Sequence, residues 1–316
     1  SNNVAMGENA LYTNTADNNT SIGHNALVAN TTAGDNVAVG HNAMLTNTTG
    51  NNNVAVGKDA LKTNATTNNN TAVGNSALFT NVGSENTGLG GTSMYSNTTG
   101  NYNTAVGRSS MRDNTTASSN TAVGHNAMLL NTTGTRNLAI GANAYDASDT
   151  ENDNIAIGFD AMTTNTAGGQ HNLAIGNYTL DALTSGDHNI AIGNSAMGVA
   201  TTAGSNTAIG YQALDANTTG NINVAIGYDA LGALTTADAN VAVGREALAS
   251  VTTGARNTAV GTSAGMTATT VADNTSLGYA ALKDNAAANN TAVGSYALTE
   301  NTTGTENVAV GYKALN

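Results

Sequence analysis

Apolar and polar positions along this chain recur on a register of 17 residues. Each copy opens with Asn, then Thr, Val, Ile or Leu, then a small residue, then an aliphatic residue, then Gly, as in Asn53-Val54-Ala55-Val56-Gly57. Aligned on that glycine, the chain holds 19 copies, from Gly7 to Gly311. The interval is 17 except for three of 16 (7→23, 74→90, 278→294) and one of 18 (158→176). A short fixed period sustained over a whole chain specifies a solenoid, because each unit is too small to bury its own apolar face and must stack on its neighbours. Seventeen residues do not hold a helix-turn-helix unit. The expectation is therefore all-β: a parallel β-solenoid (β-roll or β-helix) of about 19 coils, one per copy, running as one continuous repeat domain over 1–316.

Positions are counted from the Asn. β-Branched residues at positions 2 and 4, bounded by Asn and Gly, predict a short strand. A second short extended piece is expected at positions 8 and 9, where Ala127 and Met128 stand in one copy. Asn-Thr-Thr-Gly at positions 12–15 reads as a turn, with Gly supplying positive φ. Position 4 is aliphatic in every copy and is assigned to the core, and position 2 shares its face by the strand's period of two. Position 3 points the other way, yet it is Ala in 16 of 19 copies, with Ser21, Gly88 and Ser276 the exceptions. So small a residue on the face opposite the core implies close packing. The expectation is that a neighbouring chain meets Ala38, Ala55, Ala105 and Ala122, with a crowded turn of the same chain as the alternative. Position 1 is Asn in every copy, so Asn36, Asn53, Asn103 and Asn120 are expected to stack as a structural ladder beside Gly40, Gly57, Gly107 and Gly124. Position 12 is also Asn in many copies but becomes Leu183, Leu234 or Val251 later, which marks it as at least partly buried.

Composition narrows the function classes. There is no Cys, Pro or Trp, only 9% of residues are charged, and the net charge is −12. No basic patch exists to neutralise phosphates, which argues against nucleic acid. No apolar run is long enough for a transmembrane segment. No nucleophile–base constellation, metal-ligand spacing or cofactor fingerprint stands out, so the expectation is a non-enzyme without cofactor or metal. Without a distinct cap at either end, the chain reads as part of a longer fibre or as covered there by partners.

The least regular surface position is 6, just after the Gly. It carries His24, His41, His125, Tyr211, Tyr228, Tyr279 and Tyr312, a row that either contacts glycans or forms a solvated ridge. Acidic residues gather at Asp146, Asp149, Glu151 and Asp153, where one copy loses its Asn-Thr-Thr-Gly. A charged loop is favoured there over a Ca²⁺ site, since no Ca²⁺-loop spacing is present. Asn-Thr-Thr at Asn30, Asn47, Asn97, Asn114, Asn131, Asn217 and Asn301 matches an N-glycosylation sequon but serves first as turn chemistry.

Asn36-Val37-Ala38-Val39-Gly40-His41-Asn42-Ala43 resembles the YadA-like head repeats of trimeric autotransporter adhesins. Gly100-Asn101-Tyr102-Asn103-Thr104-Ala105-Val106-Gly107 is similar to runs in tail-fibre and related surface proteins of bacterial and algal viruses. The resemblance covers essentially the whole chain. It implies a left-handed β-roll, a homotrimer, and a role in attachment on a cell or virion surface, with a glycan or protein receptor as partner. The adhesin repeat is shorter, and the extra residues here fall in the Asn-Thr-Thr-Gly region. A self-assembling filament of stacked solenoids and an ice- or glycan-binding solenoid are the alternative expectations.

Overall fold

The computed structural model describes residues 2–165 and 168–315, and in it the chain is a β-solenoid without helix among those residues. It forms two compact units, Ser1–Asn154 and Ile155–Asn316. The first holds nine three-residue strands, from Val4–Met6 to Leu138–Ile140, and the second holds ten, from Ile155–Ile157 to Val308–Val310. Within each unit every strand pairs in parallel with the next at a shift of one copy, so that Val37, Ala38 and Val39 face Val54, Ala55 and Val56. The ladder is not confined to the strands. Val54 N–H donates to Asn70 O (2.8 Å), Gly57 N–H to Val39 O (2.8 Å), Leu61 N–H to Ala77 O (3.0 Å) and Thr63 N–H to Phe79 O (3.1 Å). One coil is thus tied to its neighbours on both sides around much of its circumference.

Among the described residues, the strand at positions 2–4 is the only one in each coil. The second extended piece expected at positions 8 and 9 is a tight turn instead. Asp59 and Leu61 both sit at positive φ (56° and 49°), and the same two positions are left-handed in most other copies. Left-handed backbone is a severe restriction for β-branched side chains. Position 9 accordingly holds Leu, Met, Tyr145 or Gly265 and never Val, Ile or Thr. The glycine of position 15 does not carry the positive φ either, except Gly168 (φ 103°) in the 18-residue copy. That conformation falls on the position-5 glycine, for instance Gly57 at +136°. Position 15 is small for another reason: a Cβ on Gly50 would lie 2.6 Å from Asn47 Oδ1 and closer still to the Thr67 carbonyl oxygen.

The faces of the strand are reversed from the expectation. Ala38, Ala55, Ala105 and Ala122 are 0% exposed within the single chain, so they line the interior of their own coil and make no chain–chain contact. Positions 2 and 4 look outward and are half-buried. The geometry follows from the narrow cross-section. Asn53, Ala55, Ala60, Leu61 and Asn64 of one coil all converge on the interior, and Leu or Met at position 9 fills most of it. Gly88 shows the approach directly: the methyl it lacks would come within 3.2 Å of Leu78 Cγ and 3.0 Å of Ser93 Oγ. Only a methyl-sized strand residue fits opposite such a wall, which sends the larger aliphatics outside.

Two columns of buried Asn satisfy the backbone that this tight winding leaves open. At position 1, Asn36 Oδ1 accepts from Asn53 N–H (2.9 Å) while its amide donates to the Gly50 carbonyl (2.9 Å). Asn103 does the same for Asn120 N–H at 3.0 Å. Each side chain therefore bridges two coils and closes its own. At position 12 the amides bond to one another: Asn97 to Asn81 (2.6 Å), Asn114 to Asn97 (2.6 Å) and Asn131 to Asn114 (3.3 Å). In the second unit Leu183, Leu234 and Val251 occupy the same column, wholly buried. Asn217 stands alone between Ala200 and Leu234 in that column, and its amide is satisfied within its own turn, donating to the Gly220 carbonyl at 2.9 Å and accepting from Gly220 N–H at 2.8 Å.

Candidate functional site

The solenoid turns every sequence position into a column, and three columns carry the candidate chemistry. The outward strand face consists of positions 2 and 4. Over 19 strands it holds only Thr, Val, Ile, Leu and Met, with no charged residue. In the second unit three successive strands, Ile155–Ile157, Leu173–Ile175 and Ile190–Ile192, place Leu or Ile at both positions. Ile155 and Ile190 are 37% and 40% exposed. Contiguous apolar rows of this kind on an acidic chain stand apart from ordinary scattered exposure.

The second column is the ridge at positions 6 and 7. Neighbouring rings meet there because the register sets them one coil apart. His24 and His41 stack at 5.3 Å, and Tyr211 and Tyr228 stack at 5.5 Å with 13° between planes. Tyr279 reaches Tyr296 edge-on at 5.2 Å, and Tyr296 reaches Tyr312 at 6.3 Å. His125 is exposed in the same column, next to Arg108 and Ala142 in register. The Glu8 carboxylate lies 3.7 Å from His24 Nε2. Among the described residues no group of three His, Asp or Glu side chains is gathered closely enough to hold a metal. The Tyr228 ring has Tyr211 against it and the Arg245 guanidinium over it at 5.7 Å, so its faces are engaged within the chain. Further ring pairs lie at positions that composition alone did not mark: Phe79 on Tyr95 at 4.8 Å with Lys62 over Phe79, and His171 on His188 at 5.0 Å. Residue type at a fixed offset of one copy was the signal that would have found them.

No family model matches this chain, and no curated protein matches it.

The third feature is the acidic copy at 137–153. Its three departures from consensus act together. Tyr145 replaces Leu or Met at position 9, and its buried hydroxyl accepts from Asn154 Nδ2 at 2.6 Å. Ser148 and Glu151 replace Asn at position 12 and Gly at position 15. The Glu151 residue is only 2% exposed. Its Oε2 accepts from Ser148 Oγ (2.8 Å), Asp149 N–H (3.0 Å) and Thr150 N–H (3.0 Å). Burial by itself raises this carboxyl, but the hydrogen bonds to its charged form outweigh it and hold it below the usual carboxylate range. Asp153 is paired with Arg136 at 2.6 Å. Glu151 is thus held by its own turn, and Asp153 by Arg136 one copy back.

A depressed folded pKa contributes stability above the ordinary carboxylate range, and that stability is lost as pH falls through the folded value. Melting of the first unit is therefore expected to drop on acidification. Glu151→Gln should cost about 1–3 kcal/mol at neutral pH and flatten that dependence in thermal unfolding followed across pH. The second unit has groups of opposite sign. Burial raises the Asp181, Asp215 and Asp229 carboxyls, and like charges nearby add to the rise: Asp160 and Asp215 on Asp181, Asp229 on Asp215, and Glu246 on Asp229. Protonating these stabilises the fold.

The position-12 sequon asparagines Asn30, Asn47, Asn97, Asn114, Asn131 and Asn217 are 0% exposed and inaccessible to a glycosyl transferase once folded. Asn301 is half-buried.

Proposed function

We propose that this chain is a segment of a non-enzymatic structural and adhesive fibre on a cell or virion surface, whose copies associate as a homotrimer through the outward strand face. The observation that carries this reading is the absence of charge from that face in all 19 strands. Copies bearing a net charge of −12 repel one another, and the strand face is where they can meet without opposing like charges. Its β-branched rows are preorganised, since each coil is laddered to the next and the side chains have few rotamers to lose. The resemblance of the pentad to YadA-like head repeats and viral fibre repeats supports the same assignment. On this reading attachment, to a glycan or protein receptor, is the role of the assembled surface. Chemistry arranged in single columns, with titratable groups spread along them, suits a scaffold better than a catalyst.

Light scattering tests the assembly. A mass near three times 31.4 kDa is expected. Ile190→Lys, which adds a charge to the outward face of its strand, should return the mass to that of a single chain with circular dichroism unchanged. A native chain that is monomeric at all accessible concentrations would sink the reading.

A further inference from the structure

We propose that Tyr211 and Tyr228 form an oxidative cross-linking site, which a one-electron phenol oxidant such as a peroxidase with hydrogen peroxide converts to a dityrosine joining two adjacent coils of one chain. Both rings lie on the exposed ridge, at 47% and 49% exposure. They are parallel to within 13° with centroids 5.5 Å apart. That overlap is maintained by the backbone, because Asp229 N–H donates to the Tyr211 carbonyl at 3.0 Å, and by the parallel register of their strands, in which Ile209 faces Ile226. Two radicals formed on these rings are already neighbours, so coupling needs only local rotation rather than a diffusive encounter.

Composition directs oxidation to the same place. The chain has no Cys and no Trp, the two side chains that otherwise compete for one-electron oxidants. Of its eight Met, Met44, Met94, Met111, Met128, Met162 and Met197 are sealed in the coil interior at 0% exposure. Apart from Met6, which is 63% exposed, and the half-buried Met266, surface tyrosine is what an oxidant in solution meets. The Tyr279–Tyr296 and Tyr296–Tyr312 contacts are edge-on, at 73° and 82°, so the Tyr211–Tyr228 stack is the best aligned of the tyrosine pairs.

The step balances. Each phenol gives up one electron and one proton, and the two radicals join through the ring carbons ortho to the hydroxyls. Re-aromatisation moves the ring hydrogens to oxygen. The two hydrogens lost in all reduce one hydrogen peroxide to two waters. The product closes a loop of one copy and restricts the unfolded chain as a disulfide would.

The test treats the full chain with horseradish-type peroxidase and hydrogen peroxide, then reads dityrosine fluorescence, intact mass and linked peptides. The expected result is a single chain lighter by two hydrogens, a peptide linking 211 to 228, and an upward shift of the thermal midpoint. Tyr211→Phe and Tyr228→Phe, which keep the stacked rings, should each abolish that link, whereas Tyr102→Phe should not. Urea should suppress the link by separating the rings. Dityrosine formed only between chains, equal yield in Tyr211→Phe, or no coupling under conditions that couple free tyrosine would each overturn the proposal.

Discussion

Gly227→Ala is expected to destabilise the second unit by about 2–6 kcal/mol, from backbone strain of ~1–3 kcal/mol and overpacking of similar size. Two constraints meet at this glycine. Its φ is +137°, a conformation that L side chains rarely adopt, and an added Cβ would stand 2.5 Å from the Gly244 carbonyl oxygen one coil on. Gly311→Ala separates them. There φ is still +126°, but the nearest heavy atom to the new Cβ is 4.0 Å away, so only the strain remains. Urea unfolding of the two variants should show the larger loss at Gly227. Equal losses would mean that the neighbouring coil yields and that conformation alone keeps this position glycine.

The same glycine shows how much of the fold was legible. Its recurrence at a fixed interval gave the solenoid, the parallel register and the strand at positions 2–4, because a period is a property of spacing and survives ignorance of geometry. The inside and outside of the coil were not legible by the usual rule. In a broad sheet the bulky aliphatic side marks the core. Here Asn53, Leu61 and Asn64 enter the same narrow interior, and the space left opposite them admits only Ala55. The turn at position 9 was readable in principle. Leu and Met without any β-branched residue across 19 copies is a signature of left-handed backbone, but helix- and strand-based reasoning reads the same residues as core. The ring pairs were readable from residue type at an offset of one copy, but Phe79–Tyr95 and His171–His188 lay at positions not marked for it. Glu151 was not readable in this way, since its partners Ser148, Asp149 and Thr150 lie in its own turn rather than one copy away.

Ala55→Leu distinguishes the two readings of the small position. If the Ala column met a neighbouring chain, the larger side chain would alter mass in solution and leave the isolated coil intact. The structure predicts the reverse. Ala55 is 0% exposed. By the register that sets Gly88 against Leu78 and Ser93, its interior neighbours are Met44 and Ala60, which have no room for three further carbons. The loss should be about 3 kcal/mol, the upper end of ordinary overpacking, because the ladder bonds on both sides of the coil prevent it from widening. Val56→Leu, one residue away on the outward face, should change stability by less than about 0.5 kcal/mol while perturbing the association proposed for that face. Unfolding curves and light scattering on the two variants therefore give opposite patterns: Ala55→Leu moves the unfolding midpoint and Val56→Leu moves the mass. Should Ala55→Leu unfold like the native chain, the interior assignment of the whole Ala column fails, and with it the placement of the interaction surface on positions 2 and 4.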